Sequence, residues 1–223
     1  AALAKKEGLE VFVSDYGVIN DDYKSQLKAL NIDWEENGHS TDRILSSKEV
    51  IKSPGISDEV QIIKELVKCN IPVISEIEFA SRYSKGKKIC ITGSNGKTTT
   101  TLMLQHILSK AGLDVVAVGN VGNSFAQVLS ESDHDYYVIE LSSFQLDNMY
   151  DFKADIAILL NITPDHLDRY DNDFQNYVDS KFKIVNNQIG RDFFIYNSDD
   201  KVIEKEISKR RILSTHLPFS IEK

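Results

Sequence analysis

Apolar positions along this chain fall into short blocks of two kinds, and the blocks alternate. Runs such as "LEVFVSD" (Leu9 to Asp15), "ICIT" (Ile89 to Thr92) and "YYVIEL" (Tyr136 to Leu141) have strand length and strand composition. Between them lie windows in which apolar residues return every three or four positions. "DDYKSQLKALNI" is one, with Asp21 or Asp22 near its start. "DEVQIIKELVKCNI" is another, and its spacing predicts an amphipathic helix with Ile62, Ile63, Leu66 and Val67 on one face. A strand in "EVIKSPGIS" ends at a Ser-Pro-Gly turn, and "IPVISEIEFASRYS" reads as a brief strand followed by a helix.

The polar, glycine-bearing link "SKGKK" (Ser84 to Lys88) interrupts the series and marks a domain boundary. Beyond it the pattern predicts strands at 89–92, 114–118, 136–141, 155–161 and 193–196. Helices are predicted from Lys97, over 124–130 and near 172–187, with a last pair of elements within 199–214. Strand–helix alternation implies parallel sheets with helices on both faces. The expected fold class is therefore α/β, with two doubly wound domains: a Rossmann-like unit over residues 1–85 and a P-loop unit over 86–223. Ligand sites then belong at the carboxyl ends of the strands.

Composition narrows the function classes. With 41% hydrophobic and 27% charged residues the chain can bury a sizeable core. It has no apolar run long enough for a membrane span and no secretory leader pattern. A net charge of −8 argues against a nucleic-acid surface. Cys69 and Cys90 share no metal-ligand spacing and are expected to be reduced, buried thiols, as in the cytoplasm. The first residues lack an initiator Met and look helical, so we expect a chain incomplete at its front.

Candidate chemistry begins at "ICITGSNGKTTT". A strand delivers Gly93-Ser94-Asn95-Gly96, and Lys97-Thr98 open a helix. Glycines let backbone N–H groups approach a phosphate, and the helix start adds positive charge. Lys97 would reach the terminal phosphates and the Thr98 hydroxyl would ligate Mg²⁺. The long form of this loop has a glycine where Ile91 stands, so the loop is short. Glu140 ends an apolar strand on the same edge, where a carboxylate can hold Mg²⁺ against phosphates. In "NITPDHLDRY", Thr163 can cap a helix with Pro164 at its first position, placing His166 in the first turn. His166 is by itself equally readable as structural. Asn120 follows a predicted strand, and Lys181 alone reads as a helix lysine with a snorkelling stem. Asp15 ends a strand where dinucleotide enzymes place a ribose-binding acid, so a nicotinamide-binding first domain is a rival, although no Gly-rich fingerprint is present.

Three strings, "TGSNGKTTT", "YYVIELSSFQLD" and "LLNITPDHLDRY", resemble the Mur ligase superfamily. "ELSSFQL" is closest to the branch that joins D-glutamate to UDP-N-acetylmuramoyl-L-alanine. The likeness runs over essentially the whole chain but about half of such an enzyme. It implies that the very start, the end of the ATP domain and a third domain are missing.

The resemblance implies an ATP-dependent amide ligase of peptidoglycan synthesis that works through an acyl phosphate. ATP and two Mg²⁺ are the implied cofactors. Gly93, Ser94, Asn95, Gly96, Lys97, Thr98 and Thr99 would hold the nucleotide, and Thr98 and Glu140 one metal. His166 and Lys181 would serve the second metal, Lys181 after carbamylation; with Lys97 they form the implied catalytic set. Ser53, Pro54 and Gly55, together with Asp15, would hold the uridine end, while Asn120, Ser142 and Gln145 contact the rest of the UDP-linked substrate. Tyr16 and Gly17 depart from the Thr and Arg that the family often has after the acid, so those two uridine-side contacts must differ or come from elsewhere. Implied partners are small molecules, with no nucleic acid, no membrane and a monomeric state. The chain alone is expected to be inactive; another amide ligase of the superfamily, including a folate polyglutamating type, or a mere nucleotide-binding fragment are the alternatives.

Overall fold

A computed structural model describes residues 1–221. Their first part runs α1 (Ala2–Lys6), β1 (Phe12–Ser14), α2 (Asp21–Ala29), β2 (Asp33–Glu35), α3 (Thr41–Leu45), β3 (Val50–Lys52), α4 (Gln61–Lys68), β4 (Val73–Ser75) and α5 (Glu76–Ser81). The second part runs β5 (Lys87–Thr92), α6 (Lys97–Lys110), β6 (Val115–Gly119), α7 (Phe125–Glu131), β7 (Tyr136–Glu140), α8 (Ser143–Asp147) and β8 (Ile156–Leu159). It closes with α9 (Phe174–Phe182), β9 (Phe193–Asn197), α10 (Lys201–Ile207) and β10 (Thr215–Phe219). Short polar side chains start the helices by accepting otherwise unpaired first-turn amides: Asn20, Ser75, Ser124, Asp173 and Asp200 all do so. Asn31 and Asn70, both left-handed, stand just beyond α2 and α4 and break those helices.

The second part forms a six-stranded parallel sheet in the order β10-β9-β8-β5-β7-β6. Strand β5 lies inside it, with β7 on one side and β8 on the other. The chain therefore leaves β5 in one direction and later returns to its opposite flank. Loops after β5, β7 and β8 meet at one carboxyl edge, which is where a doubly wound sheet opens a crevice. Side-chain alternation divides the core. Cys90, Ile139, Ala157 and Phe194 pack with α7, α9 and α10 residues on one face, while Ile89, Ile91, Val138 and Ile158 meet Leu104 and Leu108 of α6 on the other.

The first part differs from the expected doubly wound sheet. It contains two separate two-stranded parallel ladders, β1–β2 and β3–β4, each with its own small core. No described strand lies between them to join them. Helices α1 and α5 pack on α7, so Leu3, Ile77 and Phe79 share a core with Phe125 and Leu129. Glu78, 1% exposed, accepts the amides of Tyr150 and Phe152 and, more distantly, of Asp151.

Other differences are local. Val67 is 64% exposed, because only Ile63 and Leu66 of the expected stripe turn fully inward. Cys69 is exposed at the end of α4, while Cys90 is buried. Strand β2 and helices α3 and α8 lie where no element was expected, and β10 begins beyond the last predicted pair. Among the described residues no helix is long and apolar enough to cross a membrane.

Candidate functional site

The loop between β5 and α6 is shaped by its neighbour, the loop after β8. Ser94 N–H donates to the Asn161 carbonyl at 3.0 Å, and Asn95 N–H to Asn161 Oδ1 at 2.8 Å. Ser94 Oγ donates to Thr163 O and accepts Thr163 N–H, both at 2.9 Å, and it meets Tyr177 Oη at 3.1 Å. Gly96 then turns the chain at φ 82°, a left-handed value that favours glycine, and α6 begins. The amides of Gly96, Lys97, Thr98 and Thr99 have no partner among the described residues. They are the unpaired first-turn donors of a 14-residue helix, free for an anion.

Two lysines converge on this loop. Lys97 Nζ donates to the carbonyls of Gly93 and Ser94, each at 2.9 Å. Lys181 Nζ, reaching from α9, donates to the same Gly93 carbonyl at 3.0 Å and lies 4.6 Å from the Tyr177 ring centroid. Lys181 is 2% exposed, so it is no snorkelling surface residue. Burial, and secondly the charge of Lys97, push its amine down to about 7. Lys183, two positions on, points elsewhere and pairs with Asp147 at 2.7 Å.

Glu140 ends β7 and is 1% exposed. Its Oε2 accepts the Thr98 hydroxyl at 2.7 Å, and its Oε1 accepts Asn120 Nδ2 at 2.8 Å. The pair Thr98 and Glu140 offers hard oxygens of the kind Mg²⁺ takes beside phosphate oxygens. Among the described residues no three His, Cys, Asp or Glu side chains form a metal cluster. His166 stands elsewhere than its spacing suggested. Thr163 caps no helix, because its backbone is tied to Ser94; His166 adopts φ 50° just before a short 3-10 turn, Leu167–Arg169. Its side chain is 57% exposed, 3.6 Å from Asp165 and against the Phe144 ring.

Ser142 and Gln145 form the capping box of α8. Ser142 still faces the crevice, whereas Gln145 is 6% exposed and engaged in the cap. Asn120 is exposed on the loop after β6. From the first part, the Ser53-Pro54-Gly55 turn comes over the same crevice, and Arg169 Nη1 touches the Gly55 carbonyl at 3.4 Å. A cavity of about 270 Å³ results, lined by Gly55, Lys97, Asn120, Phe144, His166 and Lys181 among others. Asp15 is not among its walls; it is exposed beyond β1, where its Oδ1 accepts Gly17 N–H. A larger cavity of about 410 Å³ lies by β9, α10 and β10 and contains none of these groups. Sequence reasoning missed Asn161, Tyr177 and Arg169. Their positions in "LLNIT", "FQNYVD" and "HLDRY" carry no spacing signal of their own.

The family model for the Mur ligase middle domain matches residues 91–223, and that for the MurD N-terminal domain matches residues 1–62. The UDP-N-acetylmuramoylalanine–D-glutamate ligase of Bacteroides fragilis is 55% identical over 99% of this chain, and that of Porphyromonas gingivalis is 54% identical over 100% of it. The chain spans about half the length of these curated relatives. Among solved structures, the UDP-N-acetylmuramate:L-alanyl-gamma-D-glutamyl-meso-diaminopimelate ligase from Neisseria meningitides matches 98% of this chain and 72% of its own, with TM-score 0.66 and 21% identity. MurF ligase from Thermotoga maritima, in complex with ADP, matches 99% of this chain and 50% of its own, with TM-score 0.54 and 21% identity. Those likenesses establish the same fold, and the match of the middle-domain family over most of the sequence places it: the chain belongs to the Mur ligase family.

Proposed function

We propose that this chain is the front portion of a ligase that joins D-glutamate to UDP-N-acetylmuramoyl-L-alanine at the expense of ATP. One observation carries the reading. Lys97 and Lys181 converge on Gly93 beside free helix-start amides and the Thr98–Glu140 contact, and both lysines line a cavity that the first part of the chain also lines. Relatives at 55% and 54% identity, named for this reaction, support it.

A carboxylate is a poor electrophile, and its oxygen a poor leaving group. Transfer of the γ-phosphoryl group of ATP to the substrate carboxylate cures both faults. The amine of D-glutamate then attacks the acyl phosphate, giving amide, ADP and phosphate. The protein's task is to hold two anions together. The amides of Gly96 to Thr99 and the Lys97 ammonium would bind the phosphates and take up charge on the transferring group. Ser94 and Asn95, tied to Asn161 and Thr163, keep the loop open for them.

Thr98 and Glu140 would hold a magnesium ion, which supplies charge neutralisation between phosphate oxygens. His166 and Lys181 would serve a second ion. Lys181 fits that role as a carbamate: an ammonium has no lone pair to offer, and Mg²⁺ takes oxygen ligands over a neutral amine nitrogen. A buried amine titrating near 7 is largely neutral at mildly alkaline pH and can attack carbon dioxide, forming a carbamate with loss of one proton. A carbamate carbon signal from ¹³C-labelled bicarbonate, absent in Lys181→Met, would verify this step.

We assign residues 1–85, with Asp15 and the Ser53-Pro54-Gly55 turn, to the UDP end of the substrate. Residues 86–223 hold ATP, and Asn120, Ser142 and Gln145 the stretch between. The reaction belongs to the cytoplasm, and this chain alone is inactive because relatives carry as much polypeptide again. The deciding assay is ADP release by the complete polypeptide with UDP-N-acetylmuramoyl-L-alanine and a panel of amino acids. Release specific to D-glutamate, lost in Lys97→Ala, is expected. Release specific to another amino acid would reassign the enzyme within the family.

A further inference from the structure

Residues 8–74 carry β1 to β4, and among the described residues they share one hydrogen bond with residues 86–221. It runs from Arg169 Nη1 to the Gly55 carbonyl. The other ties between the two parts lie at the back: Glu76 to Ala126 N–H, Glu78 to the 150–152 amides, Ser75 N–H to Asn148 O, and Lys6 to Leu129 O. The first part is thus fastened along α1 and α5 and, among the described residues, joined at the crevice by one side-chain hydrogen bond.

That side chain is held in place. Its guanidinium carbon lies 4.6 Å from the Phe144 ring centroid, and Phe144 stacks on Tyr170 at 6.0 Å. Across the contact, the turn is stiff in itself. Lys52, 5% exposed, donates to Ile56 O at 2.9 Å and pairs with Asp58, while Ile56 N–H returns to Ser53 O at 3.0 Å. What no other described hydrogen bond sets is the distance of this stiff turn from the phosphate loop. Gly55 N–H, on the residue whose carbonyl Arg169 holds, has no partner among the described residues, and Gly55 lines the cavity.

We propose that Arg169 is a positioning residue. It stacks on Phe144 and holds the Gly55 carbonyl, fixing the turn over the cavity so that a nucleotide diphosphate-linked substrate is gripped at both ends. The inference rests on the proposed reading for the identity of that substrate. Arginine suits the task because its planar fork can stack and donate at once, which a lysine cannot. A misplacement of about 1 Å between two halves of a site can cost about a hundredfold in rate.

The test has two arms. In the complete polypeptide, Arg169→Met should raise KM for the UDP-linked substrate about tenfold while KM for ATP moves less than about twofold, and Arg169→Lys should recover part of the loss. In the 223-residue chain, amide exchange within residues 53–57 should quicken in Arg169→Met while β5 and β7 keep their protection. Unchanged exchange in that turn, or equal effects on both KM values, overturns the proposal. If the unmodified complete polypeptide releases no ADP with the UDP-substrate and D-glutamate, the functional reading fails, and the exchange arm still decides the role of Arg169.

Discussion

Lys181 is the residue where burial, charge and chemistry meet. Its amine sits at about 7 in the folded chain, against roughly 10.4 when exposed to water. Between those values the unfolded chain binds a proton that the folded chain lacks. Folding stability therefore rises with pH across that window, and the full penalty of a buried cation applies below about pH 7. Lys181→Met keeps the stem and removes the charge. It should stabilise the chain in urea unfolding by about 1–3 kcal/mol at pH 6.5, and by clearly less at pH 9.5, in buffer free of carbon dioxide. Equal gains at both pH values would mean that the amine stays charged throughout. The residue was singled out by its resemblance, since the sequence alone reads "YVDSKFKIV" as a helix face with a solvated lysine. Its burial depends on Gly93, 88 positions away, and no local pattern carries that.

At the scale of elements, long and strongly patterned segments were legible and short ones were not. The β5–loop–α6 unit follows from an apolar run, glycines and a helix start in sequence. Strand β2 and helices α3 and α8 span three to five residues, too few for a period to register. His166 was misplaced because Thr-Pro looks like a helix start, yet Ser94 had already taken the Thr163 backbone. Helix α5 shows the same limit for domains. It precedes the "SKGKK" link, but its Glu78 accepts amides of residues 150–152, on the far side of that link. Glu78→Gln replaces one acceptor oxygen with a donor that faces those amides. We expect a loss of about 2–3 kcal/mol in urea unfolding, larger than for an exposed control such as Glu59→Gln. A loss no greater than the control would show that α5 is only loosely docked.

For the molecule as a whole, the site opposes its surroundings. The chain carries a net charge of −8, while Lys97 and Lys181 face the crevice and Arg169 stands beside it. An anionic nucleotide approaching from bulk solvent first meets the summed negative field and only later the local cations. The two contributions have different reach. At 10 mM salt the screening length is about 30 Å and the repulsion extends past the surface; at 150 mM it is about 8 Å, which leaves close contacts largely intact. Raising salt over this range should therefore remove more of the barrier to encounter than of the attraction at contact. Stopped-flow binding of a fluorescent triphosphate to the 223-residue chain should show an association rate that rises from 10 to 100 mM KCl. Above that range the rate should level off, and dissociation should quicken as the lysine contacts weaken. A rate that falls steadily from the lowest salt would mean that local cations govern the approach as well as the contact, and Lys97→Ala would then flatten the slope.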